Sequence, residues 1–198
     1  MTDVIDRLAG IAEGSSLDRL RRNRPVRRDE IDAGYRALFE PADDVRPSLR
    51  DRLAVAAFAA DLQDHGSATS EHYRDELAAI DPMLADRITS IAANERAPGP
   101  WGVYREPGLQ DESRTRDWLV VAADQRSALG EPLAVAIEHA HFLTLHPRDA
   151  RAEVLKRLVD AGWLRQEIAT WSQLIAYVSF QVRVVEGLRV LQAEGESA

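Results

Sequence analysis

The groups in this 198-residue sequence that could exchange protons or bind metal near neutral pH are five histidines; there is no cysteine. The missing thiol excludes disulfides, thiolate metal sites and any cysteine nucleophile or resolving thiol. His72, in the run SATSEHYRDEL, is the leading candidate for general acid or base chemistry, because an imidazole titrates close to neutrality. The same residue could instead cap a helix or bond a neighbouring carboxylate such as Glu76. His65 is the second candidate catalytic residue. Seven residues span about 10.5 Å on an unbroken helix, too far to share one small ion, but Gly66 offers a break that would let His65 and His72 pair.

The other three histidines do not make a metal centre on sequence grounds. His139 and His141 are two apart, so on a helix they point about 200° from each other, one toward the core or an interface and the other toward solvent. Glu138 precedes them without the i, i+4 histidine pair of a helical metalloprotease. Glu167 opens the last helix, where a carboxylate suits the helix dipole. There is no glycine-rich phosphate loop, no Gly-x-Ser-x-Gly elbow and no EF-hand loop, so no metal or other cofactor is expected. Trp101, Tyr104, Trp118, Trp163 and Trp171 could line a pocket, although such scattered aromatics also serve as core.

The elements that must hold these residues read as helices throughout. Forty-five per cent apolar and 29% charged residues describe a globular chain. Residues 2–12 form a short amphipathic segment, and Ser15 with Asp18 starts a second. Ile31, Tyr35 and Leu38 share a face of a third, which Pro41 ends. Ser48 caps a helix whose stripe is Leu49, Leu53, Ala56, Ala57 and Ala60. A further helix starts near Ser67, and Asp81-Pro82 caps the next. Residues 94–112 are the connecting loop between an N-terminal half, 1–93, and a C-terminal half, 113–198, in one domain. Ser113 is expected to open a helix holding Trp118, Leu119 and Ala122. Pro132 suits a first helical turn, 148–161 forms another helix ended by Gly162, and 166–191 closes the chain, apolar on more than one face. The tail AEGESA is expected to fray.

Net charge is −8, which disfavours nucleic acid as a partner. Six arginines lie between Arg19 and Arg28, but acids bracket them and no aromatic is interleaved; they are expected to form a solvated helix face or a subunit contact. No apolar run is long enough to span a membrane, and MTDVIDRLAG lacks the basic start of a signal peptide, so a cytoplasmic location is expected.

The run AVAIEHAHFLTLHPRDA, then VLKRLVDAGW, then EIATWSQLIAYVSFQVRVVEGL resembles the second half of proteins of the carboxymuconolactone decarboxylase and alkylhydroperoxidase D-like family. Phe180 and Arg183 fit the aromatic and arginine that the family carries late in its closing helix. In the first half, RDRLAVAAFAADLQDHGSATSEHYRDEL resembles the family's active-site segment, a glutamate, a Cys-x-x-Cys about a dozen residues on, and a histidine. Aligned without gaps, Leu53 stands at the glutamate, His65 and Ala68 at the two cysteines, and His72 at the histidine. The resemblance implies an all-α bundle of two degenerate halves and a homo-oligomer joined through helical faces. It does not imply thiol peroxidase activity, since neither the attacking nor the resolving sulfur is present. Two functions follow as expectations. One is a catalytically degenerate binding or scaffold protein with a possible small-molecule ligand. The other is a cofactor-free acid/base enzyme of decarboxylase or lactone type, using His72 with Arg52 or Arg183 to hold a substrate carboxylate. The enzyme requires a closed pocket where His72 and an arginine converge; the scaffold requires His72 to be exposed or structurally engaged.

Overall fold

The structure, a computed structural model, describes residues 3–23, 25–41 and 46–196. These form an all-helical protein; among them there is no strand, only an isolated antiparallel bridge between Gly102 and Arg114. None of their helices is long and apolar enough to cross a membrane. Two helices make the centre: α4 (Leu49–Gln63) and α8 (Glu131–Leu145), which pack on each other. α4 is buried continuously from Arg52 to Leu62, and α8 from Leu133 to Phe142. The alanines at 54, 56, 57, 59 and 60 are buried on every side of α4. Their small side chains let neighbouring helices approach α4 from several directions.

The remaining elements wrap this pair. In the first half these are α1 (Val4–Ala9), α2 (Ser16–Arg22), α3 (Pro25–Phe39), α5 (Ala68–Ile80) and α6 (Pro82–Glu95). α7 (Ala123–Leu129), α9 (Ala152–Asp160) and α10 (Arg165–Glu196) follow the connecting loop at 94–112. The caps are those the sequence calls for. Ser15, Ser48 and Ser67 accept hydrogen bonds from the amides of Asp18, Asp51 and Ser70, and Asp81 accepts from Leu84 ahead of Pro82. α10 buries Trp171, Leu174, Ile175, Val178 and Val182 in the main core, and Val185 against Val4, Ile5, Ala9 and Ile11.

Several expectations differ from the structure, one being that the helix expected over 148–161 runs only from Ala152 to Asp160, behind a 3-10 turn at Pro147–Asp149. Residues 113–122 are not helical; α7 starts only at Ala123. Trp118, Leu119 and Val121 are held extended by side chains of α8, as described below. The arginine patch is solvated only in part: Arg19, Arg22 and Arg27 are exposed, whereas Arg21 and Arg28 turn inward onto the buried carboxylates of Asp3 and Asp6. Arg24 of that patch lies outside the described residues, as do Thr2, Ser197 and Ala198, where other expected features fall. The expected frayed tail is helical as far as Glu196.

Arg52 is a buried cation with no carboxylate partner among the described residues, 5% exposed. Its guanidinium donates to the carbonyls of Pro47 (2.8 Å), Leu38 (2.9 Å) and Ala37 (3.3 Å). Two of these carbonyls belong to the last turn of α3, so the negative end of that helix helps balance the charge. Arg52→Met keeps much of the volume but strands those carbonyls. It is expected to lower stability by about 2–4 kcal/mol, read as a lower urea midpoint at unchanged slope.

Candidate functional site

His65 and His72 flank the turn between α4 and α5 but do not form a pair; each is engaged with a different partner. His65 is exposed, and its Nδ1 lies 3.0 Å from Asp61 Oδ1. Asp61 is buried and also receives a two-point bond from Arg96, at 2.7 and 3.0 Å. The apolar surroundings of α4 leave Asp61 needing a cation, and Arg96, just past α6, provides it.

His72 points the other way, toward α3. Its Nε2 is 3.0 Å from the Tyr35 hydroxyl. Burial, and then the charge of Arg7, push the His72 pKa down to about 4, while burial raises that of Tyr35. At neutral pH the bond therefore joins a neutral phenol to an uncharged imidazole. The aromatic packing continues through Tyr73, whose ring lies 5.0 Å from His72 and 4.9 Å from Phe39, and whose hydroxyl donates to Gln181 of α10. Neither expected carboxylate clamp reaches His72. Arg52 is spent on backbone carbonyls, and Arg183 donates to Gln63 Oε1 (3.0 Å) and to the Ser179 carbonyl (2.7 Å).

Arg183 instead belongs to a groove of about 870 Å³ that begins one residue before His65. The end of α4 (Leu62–Asp64), the loop at 97–100, the end of α8 (Leu143–Leu145) and α10 form its walls. Its floor is apolar, from Leu143, Ile175, Phe180 and Val182. Thr144, Ser172, Ser179 and Gln63 place polar atoms along it, with Arg183 and Glu186 at one side. This is the composition of a site for a small amphipathic molecule. His72 does not line it.

The second-half histidines are all buried, which corrects the expectation that one of His139 and His141 meets solvent. Helix α8 has no solvent side, because residues 113–122 and α9 cover the face opposite the core. His141 Nδ1 accepts the Leu119 amide at 3.2 Å, and its Nε2 faces Glu95 at 3.4 Å. His146 Nδ1 lies 3.5 Å from Asp149, and the two imidazoles are 5.5 Å apart. Glu138 accepts the Val121 amide at 2.8 Å and ion-pairs with Arg126 and Arg157. No group of three or more potential metal ligands forms among the described residues. Glu167 accepts the amide of Leu164 (2.8 Å) at the start of α10, a capping role.

The histidines were legible in the sequence, whereas the buried polar contacts around them were not. Glu138 carried the clearest overlooked signal, a carboxylate inside the apolar run AVAIEHAHFL, which must be paired once that run is buried. Tyr35 was visible only as a member of an apolar stripe; nothing local connects it with His72, 37 residues away.

Burial lowers the pKa of His72, His139 and His141 to about 4. The unfolded chain, with histidines near 6.5, binds more protons than the folded one between these values. Their contribution is thus complete above about pH 6.5 and is lost as pH falls toward 4. Stability is expected to drop by up to about 1.4 kcal/mol per pH unit for each histidine. Urea melts at pH 7, 6, 5 and 4.5 measure it, and a midpoint that stays flat across this range would contradict buried neutral imidazoles.

Compared with known protein families, with curated proteins and with solved structures, the chain matches none of them.

Proposed function

We propose that the chain is a cysteine-less member of the carboxymuconolactone decarboxylase and alkylhydroperoxidase D-like family, an oligomeric binding or scaffold protein without peroxidase chemistry. One observation carries this reading: the candidate histidines of the resembling segment are committed to structural partners, His65 to Asp61 and His72 to Tyr35. In the order of elements, α4–α5–α6 and α8–α9–α10 each present a buried helix, a shorter helix and a closing helix, which suits two degenerate halves. The groove under Arg183 is the place for a small-molecule ligand, beginning next to the position where the family carries its first thiol. Homo-oligomer formation draws on the apolar residues that α10 leaves exposed, Phe180, Val190 and Leu191.

The second reading, a cofactor-free acid/base enzyme centred on His72, is favoured by one feature: a neutral imidazole hydrogen-bonded to an ionisable hydroxyl is a proton-transfer pair. The arginine at this pair is Arg7, whose charge acts on both His72 and Tyr35, in place of the expected Arg52 or Arg183.

The test is an organic hydroperoxide assay with a dithiol reductant, run on the protein and on His72→Ala. No consumption above the blank is expected from either. Consumption that disappears in His72→Ala would overturn the reading and demand thiol-free peroxide chemistry. Sedimentation equilibrium is expected to give a multiple of 22.0 kDa that falls to the single-chain mass in Val190→Glu/Leu191→Glu. A single-chain mass for the parent protein would remove the oligomeric part of the proposal.

A further inference from the structure

His139 has no part in the groove or in the first-half segment, and its environment is unusual. It is 3% exposed, and neither ring nitrogen has a hydrogen-bond partner. Buried polar side chains are nearly always paired, so an imidazole left with both nitrogens open marks a place where a partner belongs. The ring faces a small cavity of about 10 Å³, walled by Trp118, Val135, Phe142, Val154 and the ion-paired Glu138 and Arg157. That space admits at most about one water molecule.

The wall is thin. Trp118, Val154 and Arg157 also form the inner side of an open groove of about 460 Å³, whose outer side is Arg151 and Glu153. The Trp118 indole, with Val154 and Arg157, therefore lies between His139 and that groove. It packs edge-on against Phe142 at 5.2 Å, with the Arg151 guanidinium 5.0 Å above it. Trp118 sits on the non-helical run 113–122, whose neighbouring amides at Leu119 and Val121 are anchored to side chains of α8. Arg157 is already paired with Glu138, whereas Arg151 meets no carboxylate partner among the described residues.

We propose that Trp118 covers a binding site, running from Arg151 to His139, for a small aromatic carboxylic acid with a hydroxyl at its far end. Each part of that ligand answers a group of the site. The carboxylate meets Arg151 at the mouth, the arginine there that has no carboxylate partner among the described residues. The ring replaces the indole against Phe142, Val135 and Val154. The hydroxyl, at once donor and acceptor, satisfies a neutral imidazole that offers one of each. Burial keeps His139 in that neutral form, with its pKa lowered to about 4. A second carboxylate at the inner end would be desolvated beside an uncharged ring and is disfavoured. The site is separate from the Arg183 groove, and the proposal stands independently of the family reading.

Titrating the full chain with 4-hydroxyphenylacetate and with phenylacetate, by calorimetry and by tryptophan fluorescence, tests this. The hydroxylated acid is expected to bind about 10-fold more tightly. Arg151→Gln, at an exposed position that does not threaten folding, is expected to weaken both acids by about 10-fold. Trp118→Phe should abolish the fluorescence change, and His139→Phe should erase the preference for the hydroxylated acid while phenylacetate still binds. Absence of saturable binding by either acid would overturn the proposal. So would binding that Arg151→Gln and Trp118→Phe leave unaltered, since the ligand would then sit elsewhere.

Discussion

The constraint on which the molecule depends is that α4 and α8, packed together at its centre, have no face left for water. A helix satisfies its backbone internally, so complete burial is acceptable for main chain and alanine, but each polar side chain on these helices needs its own partner. Asp61 takes Arg96, Arg52 takes the end of α3, Glu138 takes Arg126 and Arg157, and His141 takes the amide of Leu119. Much of the outer architecture can be understood as the supply of those partners. The end of α6, the end of α3, α7, α9 and the run 113–122 each bring at least one of them inward.

A second, smaller set of buried charges fastens the N-terminal helices. Asp3 and Asp6 sit beneath Arg21 and Arg28, with Asp18 alongside, so α1, α2 and α3 are linked through one mixed cluster. Burial raises the pKa of Asp6, whereas the amide of Gly14 and the guanidinium of Arg22 lower that of Asp18. Under the cluster, Val4, Ile5 and Ile11 meet Val185, which attaches the whole group to α10. The cluster holds these helices in place while the apolar contact beneath it supplies their attachment to the bundle.

What could be read from the sequence was local. Ser48, Ser67 and Asp81 mark their helices correctly because a cap and the amide it binds lie three residues apart. The all-helical class was legible for the same reason, from periodicity within single segments. Residues 113–122 misled because Trp118, Leu119 and Ala122 are compatible with a helical stripe, whereas the groups that keep the run extended, Glu138 and His141, lie about twenty residues away on α8. The orientation of His139 and His141 was misjudged for a related reason. Helical geometry says that they diverge, but only the tertiary cover over α8 decides that both directions are interior. The Arg183 groove draws its walls from four separated stretches of chain, and no sequence pattern announces it.

The run 113–122 has a consequence of its own. Two of its amides are bonded to side chains rather than to a helix or sheet ladder. Releasing it therefore breaks a few separate bonds and leaves the cooperative hydrogen-bond ladders of α8 and α10 intact. Its opening is expected to cost less than global unfolding, which makes residues 113–122 a local unit within an otherwise tightly covered bundle. In hydrogen exchange the amides of Leu119 and Val121 are expected to fall in this low-energy class, even though both residues are buried.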